Sequence, residues 1–359
     1  MIQYAIARFK KWVSLQSFVV ELRKKYRELP VKRHLTCAQR REIQDFYKKN
    51  IGHRVPLIWH KYSYSRIGVY SPKYIPVGVY RIEMIGRMNN FQMMSAYGDK
   101  NIADLLFPNI LQPELFIKNS HGHFYAQGKS ITRAEAVKRC QNLPAAVIKP
   151  SLSTRGAGVR LIEVKDGQTN LNGKTISQLF DDYGEDFLVQ AKINQHPAMS
   201  ALNPTSVNTI RLLTYRSGDE VLLVYTVIRI GRKGTIIDNE SAGGISARIN
   251  PGGRLAKYAF GAPGVDRVEQ TDSGITLEGY EIPSYQKVVE TAKRLHLAIP
   301  QFDLAAWDFA VDQNGEPLFI EWNTNPDLSQ SAFGPAFGDL TERILKEIYT
   351  KKNTRQQYW

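Results

Sequence analysis

The sequence predicts an α+β fold made of two or three subdomains, and three observations point there. At 359 residues the chain is long for one compact core. From about residue 91 helical and strand patterns alternate, and the later strands come as consecutive antiparallel pairs joined by short turns. The composition is globular: 43% hydrophobic, 11% aromatic and 23% charged residues argue against disorder.

Residues 1 to 90 read as a basic, mainly helical region. Its second half, RVPLIWHKYSYSRIGVYSPKYIPVGVY, reads as turns and short extended pieces. His53 and His60 lie there, and a lone histidine is more often structural than chemical. Thr132 and Glu135 form a capping-box pair that starts a helix through about Asn142. A strand AAVIK (145 to 149), a loop PSLSTRGAG (150 to 158) and a strand VRLIEV (159 to 164) follow. After a helix near 175 to 183 comes the strand FLVQAKI (187 to 193). VNTIRLLTY then pairs with EVLLVYTVIRIG around Ser217-Gly218-Asp219, and GGISARI with RLAKYAF around Pro251-Gly252-Gly253. A helix near 284 to 297 precedes a final hairpin, and another near 338 to 351 ends the fold.

Charge is unevenly placed. Of a net charge of +14, residues 1 to 54 carry +10, from 14 Lys/Arg against 4 Asp/Glu. Between Tyr4 and Leu22 the apolar residues Ile6, Phe9, Trp12, Val13, Leu15, Phe18, Val19 and Leu22 suggest an amphipathic helix with basic flanks. Such a helix suits an anionic membrane surface or partner, or packs on its own domain with a solvated basic side. No reader motif supports nucleic acid. Cys37 and Cys140 are the only cysteines, so a disulfide framework and a CxxC metal site are both excluded, in keeping with a reducing cytosol. No apolar run reaches 18 residues, and Arg8, Lys10 and Lys11 break the opening stretch. The expected location is cytoplasmic, peripheral at the inner membrane face if the helix docks.

Chemistry concentrates in LAAWDFAVDQNGEPLFIEWNTNPD, residues 304 to 327. Asn314-Gly315 signals a two-residue turn, which sets Asp308 opposite Glu321. Asn323 then shares their face, while Trp307, Phe309, Val311, Leu318, Ile320 and Trp322 take the other. Two facing carboxylates repel unless a cation lies between them. Two carboxylates and an amide suit Mg²⁺, which keeps several waters and takes phosphate oxygens; the plain alternative is a solvated hairpin face.

A second cluster is Lys149 at a strand end, followed by a small-residue loop. Gly156 and Gly158 let backbone N–H groups approach phosphate oxygens, Ser151, Ser153 and Thr154 add hydroxyls, and Arg155 either clamps phosphate or faces solvent. The loop is neither a Walker motif nor a Rossmann fingerprint. Lys149 and Arg211 stand among apolar strand neighbours, where an unpaired charge is costly, so each needs a structural acid or a ligand.

In combination, YGDKNIADLLF, VIKPSLSTRGAGV, FLVQAKINQHP, SVNTIRLLTY, DNESAGGISA and WDFAVDQNGEPLFIEWNTNP resemble the ATP-grasp superfamily, above all its sugar-transfer associated family, over roughly residues 90 to 350. The resemblance implies two α+β subdomains clamping ATP: 91 to 193 with the phosphate lysines, loop and hinge, and 194 to 359 with the metal hairpin. Residues 1 to 90 remain for acceptor or membrane docking. It further implies that Lys100 and Lys149 contact the phosphates under the loop from Ser151 to Gly158. Gln190, Ala191, Lys192 and Ile193 would hold adenine, Arg211 would face the terminal phosphate, and Asp308, Glu321 and Asn323 would ligate the metal. Asn239, Gly243 and Gly244 would face the same cleft. Where the superfamily commonly has a ribose-binding acid, this chain has Asn194-Gln195-His196-Pro197, with His196 the substitute. The implied activity is an ATP- and Mg²⁺-dependent ligase joining a carboxylate to an amine or similar nucleophile in cell-surface polysaccharide synthesis. A sugar kinase and a non-catalytic nucleotide-binding module are the alternatives.

Overall fold

The computed structural model describes residues 2–153, 156–232, 234–239, 242–261 and 267–350. Thr154 and Arg155 lie outside the described residues, as do the side chains of residues 2–12.

Two antiparallel sheets face each other. The smaller uses β1 (Leu115–Ser120), β2 (His123–Ala126), β3 (Lys129–Ile131), β4 (Ala146–Pro150) and β5 (Arg160–Ile162); a two-stranded ribbon, β6 (Val164–Lys165) and β7 (Gln168–Thr169), follows, and β8 (Phe187–Ala191) returns to complete it in the order β3-β2-β1-β8-β4-β5. Helices Arg133–Cys140 and Ile176–Tyr183 supply its core, in which Ala136, Cys140 and Phe180 meet Ile117, Ile148 and Phe187. The capping box forms as expected: Thr132 Oγ1 accepts the Glu135 N–H at 3.2 Å and the Glu135 carboxylate accepts the Thr132 N–H at 2.8 Å.

The larger sheet uses β9 (Thr209–Ser217), β10 (Glu220–Ile230), β11 (Ile245–Ile249), β12 (Leu255–Phe260), β13 (Leu304–Val311) and β14 (Pro317–Asn323), in the order β12-β11-β10-β9-β13-β14. Its two faces are treated differently. On one, Ile210, Leu212, Ile228, Ile230, Trp307 and Phe309 pack under helix Tyr285–Leu297 through Val288, Val289, Ala292 and Leu295. On the other, Leu213, Tyr215, Tyr225, Val227, Leu304 and Ala306 pack against helices Cys37–Ile51, Val77–Met88 and Thr341–Thr350. Only part of that second face is covered, because Arg211, Arg229 and Asp308, which alternation places on it, continue the rows toward the smaller sheet.

The N-terminal region is therefore a layer of this domain. The stretch read as turns and extended pieces is about half helical: Ile58–Ile67 lies inside it and a run from Val77 to Met88, with one π turn at Tyr80–Met84, begins at its end, while residues 68 to 76 are turns and irregular chain. Its prolines stand ahead of helices, Pro56 two residues before Ile58 and Pro76 at the N-cap of Val77, where a missing N–H costs nothing. Gly68 at φ +80° ends the first of them. Helix Ile2–Glu28 exists, and over its described side chains Leu15, Phe18, Val19 and Leu22, at helical spacing, are buried or half-buried, while Val13 is exposed. The Leu15 methyl reaches to 2.5 Å from where a Cβ on Gly78 would lie, and Trp59 to 3.2 Å, so the helices meet closely there. No helix among the described residues is long and apolar enough to cross a membrane.

Two buried histidines tie these layers together and make stability acid-sensitive. His60 meets the Pro72 carbonyl through Nε2 at 3.2 Å and packs edge-on to Tyr47 and Tyr74. His296 Nε2 donates to the Phe302 carbonyl at 2.9 Å, and Nδ1 lies 2.7 Å from Thr214 Oγ1. Burial lowers each from an ordinary 6.5 to about 4. The unfolded chain therefore takes up these protons first, and stability falls as pH drops from about 6.5 toward 4. Each site accounts for roughly 3 kcal/mol over that window. Urea unfolding from pH 7.5 to 4.5 should show this slope, and His296→Gln should flatten it.

Candidate functional site

The acidic hairpin holds the predicted pairing by an unpredicted route. Its loop has three residues, Gln313 to Gly315, closed by hydrogen bonds between Asp312 and Glu316, and Val311 pairs with Pro317. Asp312 Oδ1 accepts the N–H groups of Asn314 and Glu316 at 2.9 and 2.7 Å, and Gly315 takes φ +79°. That third residue displaces the register by one, so Phe309 faces Phe319. A bulge at Ile320 then restores it, and Asp308 lies opposite Glu321. The expected core positions shift accordingly: Phe319 packs with Phe309, Trp307 and Trp322, whereas Leu318 pairs with Ala310 and Ile320 lines the cleft.

Across the larger sheet, Arg211 on β9 is the direct neighbour of Asp308 on β13. Its guanidinium forks onto the carboxylate, Nε to Oδ1 at 2.8 Å and Nη2 to Oδ2 at 2.6 Å. Arg229 on β10 adds a third donor, Nη2 to Oδ2 at 3.1 Å. Burial alone would raise the Asp308 carboxyl, but the two arginines overcome it and hold the group below its ordinary range. Behind them Asp238 accepts hydrogen bonds from the Thr209 N–H and hydroxyl and lies 3.5 Å from Arg229 Nε. Burial raises its carboxyl, with Arg229 and Thr209 pulling the other way. Arg229 Nη1 also donates to Asn239 Oδ1 at 3.0 Å.

The lysines face this network from the smaller subdomain. Lys100 Nζ donates to the Ser153 carbonyl at 2.6 Å and lies 3.6 Å from Glu321. Lys149, at the end of β4, is buried and has no hydrogen-bond partner among the described residues. Desolvation, reinforced by Lys100 and opposed by Glu321, lowers its pKa to about 8. Between the sheets lies a cavity of about 460 Å³, which both lysines and Glu321 line. Val147, Leu161, Ile193 and Ile320 form apolar wall, and Gln190 to Ile193 form the hinge edge. The glycine loop reaches the opposite lip: a Cβ on Gly156 would lie 2.9 Å from Ile237 and 3.1 Å from Asn239. Gly158, at φ +75°, lies against Pro150.

Of the residues chosen from sequence, Lys100, Lys149, Ser153, Gly156, Gln190, Ala191, Lys192, Ile193, Asn239 and Glu321 line the cavity. Others stand apart from its lining. The His196 ring caps helix Pro197–Leu202 by accepting the Ala198 N–H at 3.2 Å; Gln195 and Ser200 line the cavity near it instead. Ser151 is buried, with its backbone N–H bonded to the Asp186 carbonyl. Asn323 is exposed, and its Oδ1 accepts the Asn325 N–H at 2.8 Å. Arg211 pairs with Asp308 in this structure. Sequence reading missed Arg229 and Asp238. Arg229 sits in VYTVIRIG among apolar neighbours, and the argument applied to Arg211 would have singled it out.

The chain matches the sugar-transfer associated ATP-grasp family over residues 80–344. No curated protein matches it. Among solved structures it is similar to a D-alanine–D-alanine ligase from Bacillus anthracis, at 16% identity over 73% of this chain and 70% of that one, TM-score 0.41. It is similar also to D-alanyl-alanine synthetase A from Vibrio cholerae, at 13% over 72% and 65%, TM-score 0.43. A biotin carboxylase from Campylobacter jejuni is 14% identical over 73% of this chain and 47% of that one, TM-score 0.42.

The lip that carries Asp238 and Asn239 depends on Gly244, whose added Cβ would lie 2.2 Å from the Asp238 carbonyl oxygen. Gly244→Ala must push that segment out of place. The expected result is a loss of about 2 kcal/mol in urea unfolding and nucleotide affinity at least tenfold weaker by calorimetry. Unchanged affinity would show that the lip does not contribute to the site.

Proposed function

The chain belongs to the sugar-transfer associated ATP-grasp family, and from that premise we propose that it is an ATP-dependent ligase which activates a carboxylate as an acyl phosphate and passes it to an amine or similar nucleophile. One observation carries the reading: Lys149 of the smaller sheet, Lys100 of a neighbouring turn and Glu321 of the larger sheet converge on one cavity, whose wall includes Arg229 and Asp238 of the buried Arg–Asp network. Cations gathered around an enclosed space suit a triphosphate, and a partly exposed carboxylate among them suits the accompanying metal.

The donor set fits Mg²⁺. Glu321 and Asp308 stand side by side on adjacent strands, and Asp308 already draws on cations to stay ionised in the interior. Glu321 and Asp308 would hold the ion, and Asn323 would join them on giving up its bond to Asn325. When bound, Mg²⁺ neutralises phosphate charge and orients the β and γ groups.

The chain's own residues supply the rest. Lys100 and Lys149 hold phosphate oxygens while the Ser151 to Gly158 loop covers them, and backbone groups of Gln190 to Ile193 meet adenine. Arg211 offsets charge developing on the transferred group. A carboxylate oxygen attacks the γ-phosphorus as ADP departs; the nucleophile then attacks the acyl carbon and expels inorganic phosphate. No covalent protein nucleophile is required, so the site's work is positioning and exclusion of water. We place this activity in cell-surface polysaccharide synthesis, with uronic acids, amino acids and sugar nucleotides as the first substrates to screen.

ATP consumption that requires a carboxylate, with free phosphate and an amide product by mass spectrometry, supports the ligase; a stable phosphoester would make it a kinase, and ATP binding without turnover a non-catalytic module. Glu321→Gln should lower metal-dependent turnover about a hundredfold or more while leaving the unfolding midpoint near that of the unmodified protein. Retained turnover would remove Glu321 from the ligand set.

A further inference from the structure

Asp308 is held by two arginines that are engaged in very different ways. Arg229 is nearly enclosed, with 8% of its side chain exposed, and every guanidinium nitrogen is occupied. Nε donates to Thr209 Oγ1 at 2.9 Å, Nη1 to Asn239 at 3.0 Å and Nη2 to Asp308 Oδ2 at 3.1 Å, with the Asp238 carboxylate 3.5 Å from Nε. Arg211 is 26% exposed, and among the described residues both of its hydrogen bonds go to Asp308. Displacing Arg229 would leave Asp238 without its cation and Asn239 without its donor. Displacing Arg211 breaks one ion pair.

The two carboxylate oxygens are correspondingly unequal. Among the described residues Oδ1 receives one arginine nitrogen, Arg211 Nε, whereas Oδ2 receives Arg211 Nη2 and Arg229 Nη2; the Glu321 side chain also meets this carboxylate. We propose that Arg229 is a positioning residue that fixes Asp308 through Oδ2, so that Arg211 can leave for the transferred phosphoryl group and Oδ1 becomes the oxygen offered to the metal. This rests on the ligase reading above. The division of labour follows from the hydrogen bonds: Arg229 is tied to several groups at once, while Arg211, whose hydrogen bonds among the described residues all go to Asp308 and on which Glu321 and Tyr225 act through charge, exchanges that pair for a stronger anion. It also explains why Asp238 and Thr209 are buried beside the site, since they aim Arg229 just as outer groups aim metal ligands elsewhere.

The two arginines predict opposite outcomes in a metal-binding measurement. Mn²⁺ binding to the full chain with saturating ADP is followed by electron paramagnetic resonance, and ADP binding without metal is measured alongside by calorimetry. Arg229→Gln should weaken Mn²⁺ about tenfold or more, with a clearly smaller loss of metal-free ADP affinity through the Asn239 lip it also supports. Arg211→Gln should leave Mn²⁺ affinity equal or tighter, because the competitor for Oδ1 is gone. Where Arg229→Gln does not fold, Thr209→Val decides: it loosens Arg229 with Asp308 and both arginines intact, and should weaken Mn²⁺ severalfold. Equal effects of the two arginine changes, or unaltered affinity in Arg229→Gln or Thr209→Val, would overturn the assignment while leaving the ligase reading in place. Failure of the unmodified chain to bind Mn²⁺ with ADP would remove both.

Discussion

A carboxylate buried in the middle of a six-stranded sheet is untenable without cations, and the Asp308 pairing with Arg211 and Arg229 is the interaction on which the rest of the site depends. The strand order makes it possible. β9 lies between β10 and β13, so an arginine on each of β9 and β10 reaches an acid on β13 without leaving the sheet face. Glu321, one strand further out, lies 3.6 Å from Lys100, meets the Asp308 carboxylate beside it and acts through charge on Lys149 and Arg211.

The same face explains the N-terminal region. Further along β9, β10 and β13 the arginines and acid give way to Leu213, Tyr215, Tyr225 and Ala306, and these need cover. Ile43, Tyr47, Met84, Ile85 and Met88 provide it, together with Ile344 and Ile348 of the last long helix. One sheet face is thus half apolar core and half polar cleft. The helical layer that covers the first half also bounds the second, so the charged row is backed by packed structure on one side and by the smaller subdomain on the other. Helices Phe91–Tyr97 and Ala103–Leu106 pack on the opposite core through Met93, Met94 and Leu106, and the turn between them bonds Lys100 and Asn101 to Ser151, Ser153 and Asn119 of the smaller subdomain.

What was legible in the sequence was mostly local. The Thr132–Glu135 capping box, the strand-loop-strand around Lys149 and the Asp308–Glu321 pairing each depend on residues close along the chain. The errors arose where tertiary contacts override local pattern. Asn314-Gly315 favours a two-residue turn, but Asp312 binds two backbone N–H groups and extends the loop, and only the bulge at Ile320 preserves the facing acids. The aromatic, proline-bearing stretch before residue 80 looked irregular because its helices are short and buried on several sides, which removes the amphipathic period that sequence reading relies on. His196 stands where the superfamily commonly has an acid, but a ring beside a proline at a helix start has a nearer use as a cap. Arg229 and Asp238 have no motif at all; their roles exist only once β9, β10 and β13 are side by side.

Lys149 shows why the cavity favours an anion. An ammonium enclosed between sheets, with no hydrogen-bond partner among the described residues and Lys100 nearby, holds its proton less firmly than a solvated lysine, which is what a value near 8 expresses. A phosphate oxygen in contact would reverse that imbalance by supplying both the missing acceptor and the missing charge. Arg211 presents the complementary case, since burial works against its charge and Asp308 more than restores it. An anion that also brought its own metal would satisfy the lysine and compete for Asp308 in one event. An enclosed lysine without an acceptor on one side and an arginine–aspartate pair on the other therefore act together, and both favour a metal-bound polyphosphate over either an isolated anion or an isolated cation.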